Sequence, residues 1–107
     1  MKKILVSGHT GIETTAKIRL FPIEYTPIEY EFGGINTTIS SVGYNIVKAI
    51  KTLGGEPIFF SVIGNDIYRD IIKNEIEKIG INTEYVLPIA EKTSQSVILY
   101  KDRKSVV

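Results

Sequence analysis

Between Val42 and Gly80 the hydrophobic period of this chain switches from helical to strand-like and back again, and this limits the folds open to it. Ile46, Ala49, Ile50 and Leu53 fall at i, i+3, i+4 and i+7, which predicts a helix from roughly Val42 to Leu53 with Lys48, Lys51 and Thr52 facing away. Ser40 or Ser41 suits its N-cap, and Gly54 suits the left-handed residue just past its end. The run Pro57-Ile58-Phe59-Phe60-Ser61-Val62-Ile63 is almost wholly apolar, as a central strand covered on both faces would be. Gly64-Asn65-Asp66 then turns the chain into a second helix. Its inner stripe is Ile67 or Tyr68, Ile71, Ile72, Ile76 and Ile79, and Gly80 closes it. Lys3 to Ser7, a short apolar run ending at Gly8, precedes all of this as a buried strand. Strand, helix, strand, helix at this spacing predicts an α/β fold whose main sheet is parallel, with right-handed crossovers.

Other segments follow a different pattern. In Thr15 to Leu20, Ala16, Ile18 and Leu20 alternate with Thr15, Lys17 and Arg19; after Pro22 and Pro27, Ile28, Tyr30 and Phe32 alternate with Glu29 and Glu31. Two alternating strands with one wet face predict an antiparallel pair. Asn36 to Ser41 reads as a polar loop. Thr83 to Leu87 and Ser94 to Tyr100 read as further strands, Lys101 to Lys104 as a hairpin turn, and Ser105-Val106-Val107 as the start of a return strand.

Composition narrows the function classes. The 107 residues suffice for one small domain, and a net charge of +1 gives no electrostatic reason to expect nucleic acid or an anionic membrane. The absence of cysteine excludes disulfides and thiolate metal sites and fits a cytoplasmic protein. The amino-terminal apolar run is too short for a signal peptide, and no segment is long enough to span a bilayer.

The segment Gly8-His9-Thr10-Gly11-Ile12-Glu13-Thr14-Thr15 after the first strand has glycines three apart. It lacks the Lys-Ser/Thr of a P-loop and the third glycine of a dinucleotide fingerprint. His9, the single histidine, has no second histidine or cysteine with which to bind a metal. No serine, histidine and acid arrangement for nucleophilic catalysis can be read.

What the chain does carry, in order, is an opening strand ending in Gly8-x4-Glu13, two alternating strands, and Gly43-x-Asn45 entering a helix that ends Leu53-Gly54-Gly55. An apolar strand ending Val62-Ile63-Gly64-Asn65-Asp66 and a helix closing in Ile79-Gly80-Ile81-Asn82 follow. In this order and spacing the chain resembles the amino-terminal portion of ribokinase-like, or PfkB-type, carbohydrate kinases. The resemblance covers essentially the whole chain and implies part of a three-layer α/β/α sandwich with a small antiparallel β-sheet lid. Residues 1–107 would form the amino-terminal part of one such domain, with lid strands within about 15–32 and 83–107.

The resemblance also implies site residues. Glu13 falls where the family usually has an aspartate that accepts hydrogen bonds from sugar hydroxyls, and a carboxylate offers two acceptor oxygens to a vicinal diol. Its extra methylene moves that acceptor outward, leaving the substrate open. Gly43 and Asn45 match the family's Gly-x-Asn, where backbone approaches the sugar and the amide reaches a hydroxyl. Read from the residues alone, Glu13 could equally be a solvated loop acid, and Asn45 could satisfy free helix N–H groups. Where the family commonly has paired glycines, Ser40-Ser41-Val42 stands here; Arg69 stands where it has a glycine after Asp66.

The family transfers the γ-phosphoryl group of ATP, with Mg²⁺, to a sugar hydroxyl, using an aspartate general base in a Gly-x-Gly-Asp segment. That segment does not occur in the 107 residues. The expectation is therefore the acceptor-binding part of a sugar or nucleoside kinase, inactive alone and binding no cofactor by itself, with dimerisation through the lid strands. The alternative is a stand-alone, non-catalytic binding or interaction module.

Overall fold

The computed structural model describes residues 2–19, 21–25 and 33–101. Its elements run β1 (Lys3–Ser7), β2 (Gly11–Lys17), β3 (Ile35–Ser40), α1 (Val42–Thr52), β4 (Glu56–Gly64), α2 (Arg69–Lys78), β5 (Val86–Ala90) and β6 (Ser94–Tyr100). They form two sheets, ordered β1-β4-β5 and β3-β2-β6.

The first sheet is parallel at both junctions, Lys3 standing opposite Glu56 and Ser61 opposite Val86, as the alternation of strands and helices predicts. Both helices contribute to one core. Val47 of α1 and Ile72 and Ile76 of α2 are fully buried with Phe59 and Ile63 of β4 and Val86 of β5. Each such side chain is worth about 1.5–3 kcal/mol in burial. Gly54 and Gly80 close the two helices with φ of 89° and 86°, the left-handed conformation expected of Gly54 and shared by Gly80.

The sheet is covered on one face only among the described residues, which corrects two expectations. In β4, Pro57, Phe59, Ser61 and Ile63 are buried, whereas Phe60 and Val62 on the other face are 41% and 42% exposed. Phe60 stacks on Tyr85 there, ring centroids 6.5 Å apart. β1 is not buried either. It is the edge strand of its sheet, and Leu5 is 69% exposed.

The buried stripe of α1 is also displaced from the predicted one. Gly43, Tyr44 and Val47 face the core, while Ile46 and Leu53 are exposed. Residues 43 and 47 are one turn apart, so Gly43 sets the rotation of the helix by lying directly on the β1–β2 loop. Of the stripe expected for the second helix, Ile72 and Ile76 are buried and Tyr68 and Ile79 pack against the core, but Ile67 and Ile71 are exposed.

The small sheet is mixed, not wholly antiparallel. β2 pairs antiparallel with β3, and β2 pairs parallel with β6. Its first strand begins at Gly11, not Thr15, and residues 36–40, read as a loop, form most of β3. The strand expected over Ile28 to Phe32 and the return strand from Ser105 lie outside the described residues. The strand expected from Thr83 starts at Val86 and joins the parallel sheet.

Candidate functional site

The site is assembled where the small sheet meets the start of α1. Side chains alternate along a strand, so Ile12 of β2 and its partner Ile39 of β3 share the face turned toward the core. Glu13 therefore belongs to the other face, with Thr38 opposite it on β3 and Ser96 opposite it on β6. Ser40 and Ser94 flank Gly11 on that same face. A half-buried carboxylate thus stands at the centre of a face rich in hydroxyl groups, in the middle of a strand rather than in a loop.

The start of α1 is held to the β1–β2 loop by backbone contact: Tyr44 N–H donates to the His9 carbonyl at 3.2 Å. Gly43 is buried with no room for a side chain: a Cβ there would lie 2.5 Å from the Gly8 carbonyl carbon and 2.6 Å from His9 N. Ser41 Oγ in turn would lie 3.1 Å from a Cβ on Gly11. Asn45 is exposed, and its side chain makes no hydrogen bond among the described residues. It does not occupy the free N–H groups of the helix, and neither does Ser41. Ser41 holds the N-cap position without a side-chain cap, at φ 90° and ψ 159°, a region populated almost only by glycine. The strain sits at a position where the family resemblance leads one to expect glycine.

Two polar contacts, one buried and one partly buried, fix the loop and the strands around it. Thr10 Oγ1 and Ser61 Oγ lie 2.8 Å apart, both almost fully buried, and join the β1–β2 loop to β4. Asp66 accepts the N–H of Thr93 at 2.7 Å, the Thr93 hydroxyl at 2.9 Å and the N–H of Tyr68 at 3.0 Å. The Thr93 N–H, more than the remaining bonds, holds its carboxyl below the ordinary aspartate range. Arg69, where the sequence departs from glycine, opens α2 and donates to Asn65 Oδ1 at 2.7 Å.

Two cavities border this region. One of about 250 Å³ lies at the carboxyl ends of β1 and β4, lined by Ser7, Gly8, His9, Phe60, Ser61 and Val62. That is the edge of a parallel sheet at which ligands of α/β folds are bound. The other, about 430 Å³, lies between β2, β3 and the two helices and includes Tyr44, Lys48 and Glu75. Burial, with the Glu75 carboxylate nearby, pushes the Tyr44 hydroxyl above its ordinary value.

Of the three residues singled out in the sequence, Glu13 and Gly43 are joined through the Gly8–Gly11 segment, and Asn45 follows on the first turns of the same helix. The hydroxyls of Thr38 and Ser96 and the Thr10–Ser61 and Asp66–Thr93 contacts were not read from the sequence. The alternation Ser94-x-Ser96 was the only local signal for any of them.

The model of the pfkB family carbohydrate kinases matches residues 1–106. The chain belongs to the PfkB family of carbohydrate kinases. Members of the family generally use ATP with a divalent metal ion. No curated protein is matched by sequence. Among solved structures, the Methanocaldococcus jannaschii nucleoside kinase, an archaeal member of the ribokinase family, superimposes with a TM-score of 0.78 at 19% identity, over 100% of this chain and 36% of its own. Thermotoga maritima ribokinase gives 0.73 at 23% identity, over 96% of this chain and 34% of its own. The Burkholderia thailandensis nucleoside kinase in complex with inosine gives 0.74 at 14%, over 99% and 34%. These similarities establish the ribokinase-like α/β fold for this PfkB chain, which spans about a third of the length of the structures it matches. No described helix of the chain is long and apolar enough to cross a membrane.

Proposed function

We propose that this PfkB chain supplies the acceptor-binding part of a cytoplasmic kinase that transfers the γ-phosphoryl group of ATP to a hydroxyl of a sugar or nucleoside. The observation that carries the reading is the position of Glu13: central on the hydroxyl-rich face of the small sheet and tied through Gly8–Gly11 to the helix that bears Asn45. Glu13 accepts hydrogen bonds from two neighbouring hydroxyls of the acceptor, a task suited to a carboxylate. Asn45, whose amide is unused within the described residues, donates to or accepts from a further hydroxyl. Gly43 holds the helix start against Gly8 and His9, and in this proposal Glu13 and Asn45 address one ligand. Dimerisation through the small sheet belongs to the same proposal.

The described residues do not fit a magnesium–nucleotide site. They contain no group of three His, Cys, Asp or Glu able to hold a metal ion, and no Gly-x-Gly-Asp segment occurs in the sequence. No step through ATP or magnesium is therefore assigned to them. The non-catalytic alternative draws on the apolar side chains Leu5, Phe60 and Val62, which would offer a partner an exposed surface.

Titrating the isotope-labelled chain with inosine and, separately, ribose tests the reading. Amide shifts concentrated at Gly11 to Glu13, Ser41 to Asn45 and Ser94 to Ser96 are the expected result. Shifts confined to β1 and β4, or none with either compound, would remove the support for an acceptor site.

A further inference from the structure

Gly64, Asn65 and Asp66, at the end of β4, hold both ends of the turn between β5 and β6. Asn65 N–H donates to the Ala90 carbonyl at 2.9 Å, at the end of β5. Asp66 takes both the N–H and the hydroxyl of Thr93, the residue immediately before β6. The Thr93 hydroxyl also accepts the N–H of Gly64 at 2.9 Å, so it donates one hydrogen bond and accepts another, and its orientation is fixed. Thr93 is only 4% exposed. Gly64 has no space for a side chain, because a Cβ would overlap Thr93 N and the Lys92 carbonyl carbon.

This arrangement bears on the small sheet because β6 starts one residue later. Ser94 stands opposite Gly11, and Ser96 stands opposite Glu13. The place at which Thr93 is held therefore decides which hydroxyls lie beside the carboxylate. The turn that leads into α2 explains one of the three Asp66 contacts, that to Tyr68 N–H two residues on, and leaves the two to Thr93 unexplained.

We propose that Asp66 is a positioning residue of the acceptor site: by holding Thr93 it anchors the start of β6 to the parallel sheet and so sets Ser94 and Ser96 beside Glu13. The proposal rests on the reading of the Glu13 face as the acceptor site. Ionisation of Asp66, favoured by its bonds to Thr93, keeps all three contacts available together.

The test is amide hydrogen exchange on the whole chain carrying Thr93→Val, which keeps the β-branched shape and removes the hydroxyl, with Thr93→Ser as the variant that restores it. Loss of the partly buried hydrogen bond to the Asp66 carboxylate, together with the buried one from Gly64 N–H, should lower protection of the β6 amides by about tenfold or more. The α2 amides should stay within about twofold, because Asp66 still accepts the Tyr68 N–H. Thr93→Ser should return β6 to the parent value. Unchanged β6 protection in Thr93→Val, or an equal loss in α2 and β6, would overturn the proposal. Inosine affinity supplies a second reading: Thr93→Val should weaken it by about tenfold and Thr93→Ser should restore it. Equal affinity in all three forms would also overturn the positioning role. If the parent chain binds neither inosine nor ribose, the proposed function fails, and the exchange pattern still decides whether Asp66 anchors β6.

Discussion

Gly8 and Gly43 meet backbone to backbone: a Cβ on Gly8 would lie 2.8 Å from the Gly43 Cα, and one on Gly43 still closer to the Gly8 carbonyl carbon. Neither position tolerates a side chain, because the atoms it would meet are main chain and cannot swing away. Gly43→Ala is expected to cost about 3 kcal/mol or more, the upper range for overpacking a site that cannot relax. Urea denaturation of the two forms measures this. A loss within about 0.5 kcal/mol, as for ordinary surface substitutions, would show that the two segments do not touch.

Ser41 should respond in the opposite sense. Its φ of 90° with ψ of 159° lies in a region that costs a residue with a side chain about 1–3 kcal/mol and costs glycine little. Its hydroxyl caps nothing, so Ser41→Gly loses no cap. A gain of about 1 kcal/mol is expected after the greater freedom of glycine in the unfolded chain is subtracted. A destabilised Ser41→Gly would mean that the serine is not strained.

Thr10 and Ser61 form a buried pair whose members depend on each other. Ser61→Ala leaves the Thr10 hydroxyl without its partner 2.8 Å away and is expected to cost about 1–3 kcal/mol. Thr10→Val combined with Ser61→Ala should cost clearly less than the sum of the single changes, since no orphaned hydroxyl is left. A double-mutant cycle reads the difference, and strict additivity would contradict the contact.

How much of this was legible in the sequence differs by segment. The parallel sheet and its helices were readable because the period changes at Gly54-Gly55 and again at Gly64-Asn65-Asp66, and the structure places those glycines at helix and strand ends. The buried side of α1 was not. Apolar residues lie on both sides of it, and spacing cannot say which side meets the sheet; the Gly8–Gly43 contact, a tertiary fact, makes that choice. β3 was missed because Asn36, Thr37 and Thr38 interrupt Ile35 and Ile39, hiding the alternation that pairs Ile39 with Ile12. Gly8-x4-Glu13 and Gly43-x-Asn45 drew notice as motifs, yet only pairing across β2, β3 and β6 put Thr38 and Ser96 beside Glu13.

Asp66 gives the chain a defined response to acid. The Thr93 N–H, with the Thr93 hydroxyl and Tyr68 N–H, favours the ionised form and lowers its pKa from the ordinary 3.8. A carboxyl with a depressed folded-state value contributes stability that is complete above its unfolded value and lost as pH falls through the folded one. The urea midpoint should therefore decline below about pH 4, and Asp66→Asn should show a smaller decline over the same window. An equal decline in both forms would place the acid sensitivity elsewhere.

Titration calorimetry of inosine and ribose against the whole chain and its Asn45→Ala form tests whether this chain holds an acceptor site. Asn45 is exposed and makes no side-chain hydrogen bond among the described residues, so its removal should leave the urea midpoint unchanged. Measurable binding of at least one of the two compounds is expected, weakened by about tenfold or more in Asn45→Ala. Equal affinity in the two forms, or no binding of either compound to the parent chain, would contradict it.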